Sequence, residues 1–271
     1  EGIVQAPGTE ALLRDALRAG VDVVGGCPYN DSDALAHIDA VFRLAREWDV
    51  DADFHVDFFD EPEHLHVRPI AERTIREGWQ GRVAVGHLTE LAACEPAEQD
   101  RLIASIRDAG LAVVTLPATD LYLMGRGDAK NVRRGLVPVK RLLAAGVPVA
   151  AATNNVQNAF TPVGNADPLL LAFLLAVSAH MGTETDMAHL LDMLTRWPAR
   201  IVYGRTAGEH GLEVGCRADL VVLEARTLAE AVGAVPARRW VVKGGRVTVD
   251  RRPAWSRAIE RLDTSREGPV G

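Results

Sequence analysis

Short apolar runs alternate with amphipathic stretches from the start of the chain to about residue 155. Apolar, β-branched runs of this length are typical of buried strands. They predict strands at Val21–Cys27, Ala52–Phe58, Arg82–Leu88, Leu111–Leu116 and Val147–Ala152. The stretches between them repeat apolar residues at helical spacing. They predict helices at Ile38–Trp48, Ile70–Trp79, Pro96–Ala109 and Val137–Ala145.

Repeated strand–helix units with apolar strands predict a parallel sheet covered by helices. Two architectures meet this description, an open doubly wound sheet and a (β/α)8 barrel. No GxGxxG motif follows the first strand and no GxxxxGK[ST] motif occurs in the chain, which disfavours the nucleotide-binding open sheet. A closed barrel has eight strands and only five are predicted here. Since the chain also begins without a methionine, we expect three further strands to precede residue 1.

The pattern changes in the second half of the chain. It is first helical and later alternates apolar and polar residues as half-buried strands do. The helical segments are Leu169–His180 and Met187–Thr195, and the alternating ones are Ala218–Glu224 and Trp240–Val249. Gly244-Gly245 predicts a hairpin turn inside the last segment. We therefore expect a barrel domain over 1–205, a C-terminal β region over 206–250 and a loosely ordered tail over 251–271.

Composition and charge exclude several functions. The 271 residues carry a net charge of −7 with charges of both signs mixed, and no basic stripe suggests a nucleic-acid partner. No run of 18 apolar residues predicts a membrane span, and no signal peptide is recognisable. The three cysteines are scattered and lack metal-type spacing, which is typical of reduced thiols in a cytoplasmic protein.

Polar residues at the ends of predicted strands are the candidates for chemistry, because barrel enzymes gather functional side chains at the carboxyl ends of their strands. His55 and His87 belong to consecutive strands, and Asn154 follows the fifth. Neighbouring strands lie about 4.8 Å apart, so the two imidazoles can face one metal ion. The alternative, that each histidine is a hydrogen-bonded residue filling a strand end, stays open.

Other polar residues are weaker candidates. His64 and His66 form an HxH pair, but in a loop or helix start after Pro62. Acidic residues cluster after His55, and one carboxylate of this cluster can face the site. That cluster consists of Asp57, Asp60, Glu61 and Glu63. We expect the histidines on helices or other loops to be ordinary surface or packing residues: His37, His180, His189 and His210.

Several segments, in order, resemble the bacterial cytosine deaminases and their relatives in the amidohydrolase superfamily. The resemblance covers nearly the whole chain. The segments at 198–200 and 215–221 resemble the closing signature of the superfamily. It is carried by Glu1-Gly2-Ile3, the DVVGGCP segment at 22–28, His55-Val56-Asp57, the GHLT segment at 86–89, the LMGR segment at 123–126, Pro198-Ala199-Arg200 and the GCRADLV segment at 215–221.

The resemblance implies a partial TIM-like (β/α)8 barrel of the metal-dependent hydrolase type, followed by the C-terminal part of a small β-sandwich domain. It implies a divalent metal, zinc or iron, in the complete protein, held weakly or not at all by this chain alone. His55 would be a metal ligand, and His87 a second active-site histidine that also helps to hold the metal. The family's HxH metal motif lies on its first barrel strand, a segment that this chain lacks. The implied substrate is a small heterocycle; homo-oligomerisation stays open.

Two positions depart from the family's pattern. Phe58 stands where the resemblance implies the glutamate of an HxxE motif, and Asn154 stands where it implies an aspartate. An amide has no usable pKa near 7 and cannot serve as the base. We therefore expect Asp57 or Asp60 to take over proton transfer, and Phe58 and Asn155 to contact the substrate.

The expected function is hydrolysis of a non-peptide C–N bond in a small cyclic amide or amidine, with poor activity on cytosine. The alternative is a catalytically degenerate relative that binds a small ligand, which Phe58 and Asn154 favour. A purely structural barrel is a third possibility, against which the ordered motif matches count.

Overall fold

The computed structural model describes residues 2–204 and 210–251. All five strands expected before residue 155 are present, each a little shorter than its apolar run. They are β1 Val23–Gly26, β2 Asp51–Val56, β3 Val83–His87, β4 Ala112–Thr115 and β5 Val149–Ala151. They form one parallel sheet in the order β1-β2-β3-β4-β5.

This strand order distinguishes the two candidate architectures. Each strand pairs with the next one along the chain, as in a (β/α)8 barrel, whereas a doubly wound sheet reverses direction at a switch point. The carboxyl ends of all five strands therefore meet at one edge of the sheet. The expected α/β fold of TIM-barrel type is confirmed.

Ten helices accompany this sheet in the described residues. They are α1 Thr9–Arg18, α2 Ala34–Trp48, α3 Val67–Glu77, α4 Thr89–Ala93, α5 Pro96–Asp108, α6 Pro117–Leu123, α7 Val139–Ala144, α8 Pro168–Ser178, α9 Glu184–Leu194 and α10 Arg196–Tyr203, with a 3-10 turn at Pro28–Asn30. Local capping fixes where several of them begin. The Asp33 side chain accepts a hydrogen bond from the backbone N–H of Ala36, and Thr183 and Asp186 form a capping box.

The core lies between the sheet and its helices. Phe42 of α2 packs on Phe54 of β2 with ring centroids 5.7 Å apart, and neither ring is accessible to solvent. Side chains alternate between the two faces of a strand. Because Phe54 faces the helices, Asp53 and His55 must face the opposite side of the sheet, which is the interior side in a barrel.

The structure divides the chain into two compact units, with 2–204 described in the first and 210–251 in the second. The second unit contains an antiparallel sheet in the order β6-β7-β8. Its elements are β6 Leu220–Leu223, α11 Leu228–Ala234, β7 Arg238–Lys243 and β8 Arg246–Asp250. Gly244 and Gly245 have φ values of 53° and 76°, so the predicted tight hairpin turn is confirmed.

Three expectations fall partly outside the described residues. These are the resemblance at Glu1, the domain boundary at 205/206, and the tail beyond Arg251. Across the two described ranges, every helix is too short or too polar to cross a bilayer.

Candidate active site

Unusual backbone geometry marks the carboxyl edge of the parallel sheet. Asp57, directly after β2, has a φ of 54°; His87, the last residue of β3, has a φ of 73°; Asn154, after β5, has a φ of 56°. Residues other than glycine rarely adopt this left-handed region, although Asp, Asn and His do so most readily. Such strain concentrates at functional sites, where the surrounding structure maintains it. This edge is therefore the candidate active site.

The structure brings together the two histidines that the sequence singled out. The rings of His55 and His87 stand edge to face, with centroids 4.9 Å apart and an angle of 89° between their planes. In the β2–β3 ladder, Gly86 is the partner of His55. A Cβ atom at Gly86 would stand 3.4 Å from His55 Nδ1. Glycine at this position therefore leaves room for the imidazole.

His87 has a polar partner near each ring nitrogen. Its Nδ1 lies 2.8 Å from Asp120 Oδ1, and its Nε2 lies 3.4 Å from Asn154 Nδ2. His87 is 3% exposed and Asp120 is completely buried. Burial raises the pKa of the Asp120 carboxyl, while the hydrogen bond with His87 acts in the opposite direction.

Asp120 approaches His87 although the sequence did not single it out. It lies in the first turn of α6, five residues after the end of β4, at the same edge of the sheet as His87. The available signal was an acidic residue shortly after an apolar strand. That signal does not reveal which strand end the carboxylate approaches, because this depends on how the helix leaves the sheet.

Aromatic rings form an apolar wall beside His87. The Phe58 ring lies 4.2 Å from the His87 ring, measured between centroids. Phe59 packs on Tyr29 at 5.6 Å and stacks on His64 at 4.6 Å. A planar ligand at this edge would therefore meet an apolar aromatic surface next to an imidazole.

The hydrogen bonds of Asp57 and Asp60 run to the backbone of other loops. Asp57 is completely buried and accepts hydrogen bonds from the N–H groups of His66, at 2.6 Å, and Val67, at 3.0 Å. Burial raises the pKa of its carboxyl to about 7. Asp60 Oδ1 accepts a hydrogen bond from the N–H group of Gly125 at 2.8 Å. The proton-transfer roles of Asp57 and Asp60 stay predictions.

Asn155, expected to contact substrate, takes part in local hydrogen bonds. Its side-chain oxygen accepts from Asn158 Nδ2 at 2.6 Å, and its N–H group donates to Thr119 Oγ1 at 3.3 Å. Thr119 Oγ1 also lies 3.0 Å from Thr161 Oγ1. These bonds hold the loop that carries Asn154 against the start of α6.

The HxH pair lies beside two buried carboxylates. His64 Nδ1 is 3.2 Å from Glu90 Oε1, and His66 Nδ1 is 3.8 Å from Asp57 Oδ1. Glu90 also accepts a hydrogen bond from the backbone N–H of His64 at 2.8 Å. Burial lowers the pKa of His66 to about 4. Both histidines are only partly exposed, and the contacts with Glu90 and Asp57 fix their loop, which fits a structural role for this pair.

The candidate site offers few side chains that could hold a metal ion. His55 and His87 offer two imidazoles, whereas a catalytic zinc site usually has three protein ligands. Within 2–204 and 210–251, no three His, Cys, Asp or Glu side chains converge as such a site requires. Two imidazoles are thus fewer than the ligands of such a site, counting only the residues that the structure describes.

The chain is similar to several known proteins. N-isopropylammelide isopropyl amidohydrolase of Pseudomonas sp. (strain ADP) is 29% identical over 243 residues, which cover 89% of this chain and 57% of the relative. Pterin deaminase of Rhizobium rhizogenes (strain K84) is 31% identical over 247 residues, covering 89% of this chain and 54% of the relative. The crystal structure of 5-methylcytosine deaminase from Klebsiella pneumoniae with 5-fluorocytosine superposes with a TM-score of 0.88 at 26% identity, covering 93% of this chain and 62% of that one.

The chain thus spans little more than half the length of the proteins it matches. The sequence profile of the Amidohydrolase family matches residues 2–249. This match includes both units of the structure and all the strand ends that form the candidate site. The chain belongs to the amidohydrolase family.

Proposed function

We propose that the protein hydrolyses a non-peptide C–N bond in a small nitrogen heterocycle and releases ammonia or an alkylamine. The observation that carries the proposal is the His55–His87 pair at the carboxyl edge of the sheet, flanked by Phe58 and Asn154. The names of the two curated relatives support the substrate class, since one is a pterin deaminase and the other acts on N-isopropylammelide.

The side chains around the pair suit a flat, partly polar ring. Phe58 offers an apolar face beside His87. Asn154 offers an amide, which can donate and accept hydrogen bonds but cannot act as a base. Hydrophobic contact on one face and hydrogen bonding at the edge are what a planar heterocycle requires for orientation.

A divalent metal, zinc or iron, belongs to this proposal, with His55 and His87 as two of its ligands. Such an ion lowers the pKa of a bound water from 15.7 to about 7. At least one further protein ligand is needed beyond these two imidazoles. Proton transfer by Asp57 or Asp60 also belongs to the proposal, and requires that carboxylate to exchange a backbone N–H donor for the substrate.

A second candidate function is ligand binding without turnover. The observation that favours it is the pair of substitutions at the site itself. Phe58 and Asn154 both approach His87, and neither can accept a proton from water near neutral pH. A degenerate relative would retain the heterocycle pocket and lose the chemistry.

The test is release of ammonia or alkylamine from pterin, 5-methylcytosine and N-isopropylammelide. Full-length protein is assayed with added zinc, and binding of the same compounds is measured by calorimetry. The His87→Gln variant removes the central imidazole, and His189→Gln in α9 is the matched control. Turnover that His87→Gln abolishes and His189→Gln leaves intact supports the hydrolase. Binding without turnover supports the second candidate, and neither binding nor turnover rejects both.

A further inference from the structure

The buried carboxylate that contacts His87 comes from a helix. Asp120 Oδ1 lies 2.8 Å from His87 Nδ1, and both side chains are shielded from water. The second carboxylate oxygen, Oδ2, is buried without a hydrogen-bond partner. The contact with His87 is therefore the main polar interaction of this side chain. A carboxylate can only accept hydrogen bonds, so His87 Nδ1 is the donor in this contact.

The contact on the opposite side of the imidazole is compatible with the same proton position. Asn154 Nδ2 lies 3.4 Å from His87 Nε2. With its amide nitrogen turned toward the ring, Asn154 donates and Nε2 accepts, which is compatible with an Nε2 that carries no proton. A neutral imidazole has one protonated nitrogen. Both contacts are thus satisfied by a single tautomer, with the proton on Nδ1.

The first turn of α6 organises both contacts. Asp120 binds His87 directly, while its neighbour Thr119 receives a hydrogen bond from the N–H of Asn155 and lies 3.5 Å from the carbonyl oxygen of Thr153. The residues on either side of Asn154 are therefore attached to the same turn. A shift of this turn would move both partners of His87 together.

We infer that Asp120 is a positioning residue that keeps the His87 proton on Nδ1, so that the Nε2 lone pair is available to a ligand that replaces the contact with Asn154. The Nε2 lone pair can bind a metal or accept a proton, and a carboxylate on the other ring nitrogen increases its basicity. The consequence for turnover rests on the proposed function, whereas the tautomer itself does not. Asp120 would thus supply the carboxylate beside His87 in a site where Asn154 has none.

The tautomer can be read directly by nitrogen NMR of this chain labelled with ¹⁵N-histidine. The His87 signals are identified by their loss in His87→Gln. In the wild-type chain we expect a protonated Nδ1 and an unprotonated Nε2. In Asp120→Asn we expect both tautomers, because a carboxamide can either accept from Nδ1 or donate to it.

Asp53→Asn is the matched control. Asp53 lies on the interior side of β2, the side that His55 faces, and burial raises the pKa of its carboxyl. The Asp53→Asn variant should leave the His87 tautomer unchanged if the hydrogen bond with Asp120, and not nearby negative charge, fixes the proton. A wild-type His87 protonated on Nε2 would overturn the inference, as would an Asp120→Asn spectrum identical to that of the wild type. If Asp120→Asn fails to fold, by circular dichroism, Asp120→Glu replaces it and should retain the wild-type tautomer.

Turnover measurements distinguish a failure of this inference from a failure of the proposed function. If the full-length protein is active, Asp120→Asn should lower kcat by about 10²–10⁴-fold with a smaller change in KM, as when the carboxylate partner of a catalytic histidine becomes an amide. Equal kcat in the wild type and Asp120→Asn would reject the positioning role. Absence of turnover in the wild type rejects the proposed function, and the NMR result still decides the tautomer.

Discussion

His55 and His87 stand edge to face, 4.9 Å apart between ring centroids, at the ends of two neighbouring parallel strands. His55 pairs with Gly86 in the strand ladder, and His87 follows directly with a left-handed backbone. Gly86 leaves room for the His55 ring, and the left-handed backbone at His87 follows directly. Together they allow the two imidazoles to come close to each other. The predictions below test this arrangement and the surroundings that maintain it.

Gly86→Ala should impair the site more than the fold. The added Cβ would stand 3.4 Å from His55 Nδ1 and 3.7 Å from Cε1, in contact with the ring. We expect the free energy of unfolding to change by less than about 1 kcal/mol, because alanine also restricts the unfolded chain. We expect turnover of the full-length protein to fall severalfold, because the added methyl group fills the space beside His55 and restricts its ring. Gly182→Ala, in open space, is the control; equal effects of the two variants would refute this prediction.

Dialysis should remove divalent metal from this chain. Its described residues provide two imidazoles and no group of three metal-binding side chains, and a stable catalytic zinc site usually needs three. We expect less than one equivalent of metal to remain, measured by atomic emission after zinc loading. His55→Gln should retain even less. One tightly held equivalent would show that a third ligand exists within the chain.

Restoring two acid–base groups should increase cytosine deamination by the full-length protein. Phe58 and Asn154 occupy the positions where the resemblance implies a glutamate and an aspartate, and both approach His87. A positioned acid or base typically contributes about 10²–10⁴-fold. We expect Phe58→Glu with Asn154→Asp to raise cytosine turnover by at least about 10²-fold. The same pair in a His87→Gln background should give no gain; a wild type already working at about 10 s⁻¹ would disprove the assignment of these positions.

Asp31→Asn should make the free energy of unfolding less dependent on pH in acid. Burial alone would raise the pKa of Asp31, but hydrogen bonds from the N–H groups of Val4 and Gln5 and from His37 hold it well below its ordinary value. A carboxyl with a lowered pKa stabilises the fold above its unfolded pKa of about 4, and this stabilisation is lost as the pH falls.

Unfolding by urea at a series of pH values checks this prediction. We expect Asp31→Asn to lower the unfolding free energy by about 1–3 kcal/mol at pH 7 and to flatten its decline below pH 4. Asp15→Asn, which alters an exposed ion pair with Arg18, should change neither. Parallel pH profiles for the wild type and Asp31→Asn would count against a special role of this buried carboxylate.

The sequence predicted the sheet well because each strand has a strong apolar pattern and neighbours its successor. Helices α4 and α6 were missed because five and seven residues are too few to show a helical period. The placement of His55, His87 and Asn154 at one edge of the sheet follows from their positions at strand ends. Asp120 was missed because its contact with His87 depends on the direction of α6, which is set by tertiary packing.

Asp57 shows a second feature that a sequence pattern does not predict, the direction of a side chain. Its position after β2 was predicted, but not the direction of its side chain. The left-handed backbone at φ 54° accompanies a carboxylate bound to the start of α3. Periodicity locates residues along an element and does not determine hydrogen-bond partners beyond it.

The most direct test of the central claim is the kcat of the His87→Gln variant relative to the wild type. It is measured with the full-length protein as release of ammonia or alkylamine from the best of the three heterocycles. We expect a fall of about 10²–10⁴-fold or more, since His87 is the imidazole that both Asp120 and Asn154 approach. Turnover in His87→Gln equal to that of the wild type would contradict the assignment of this strand edge as the active site.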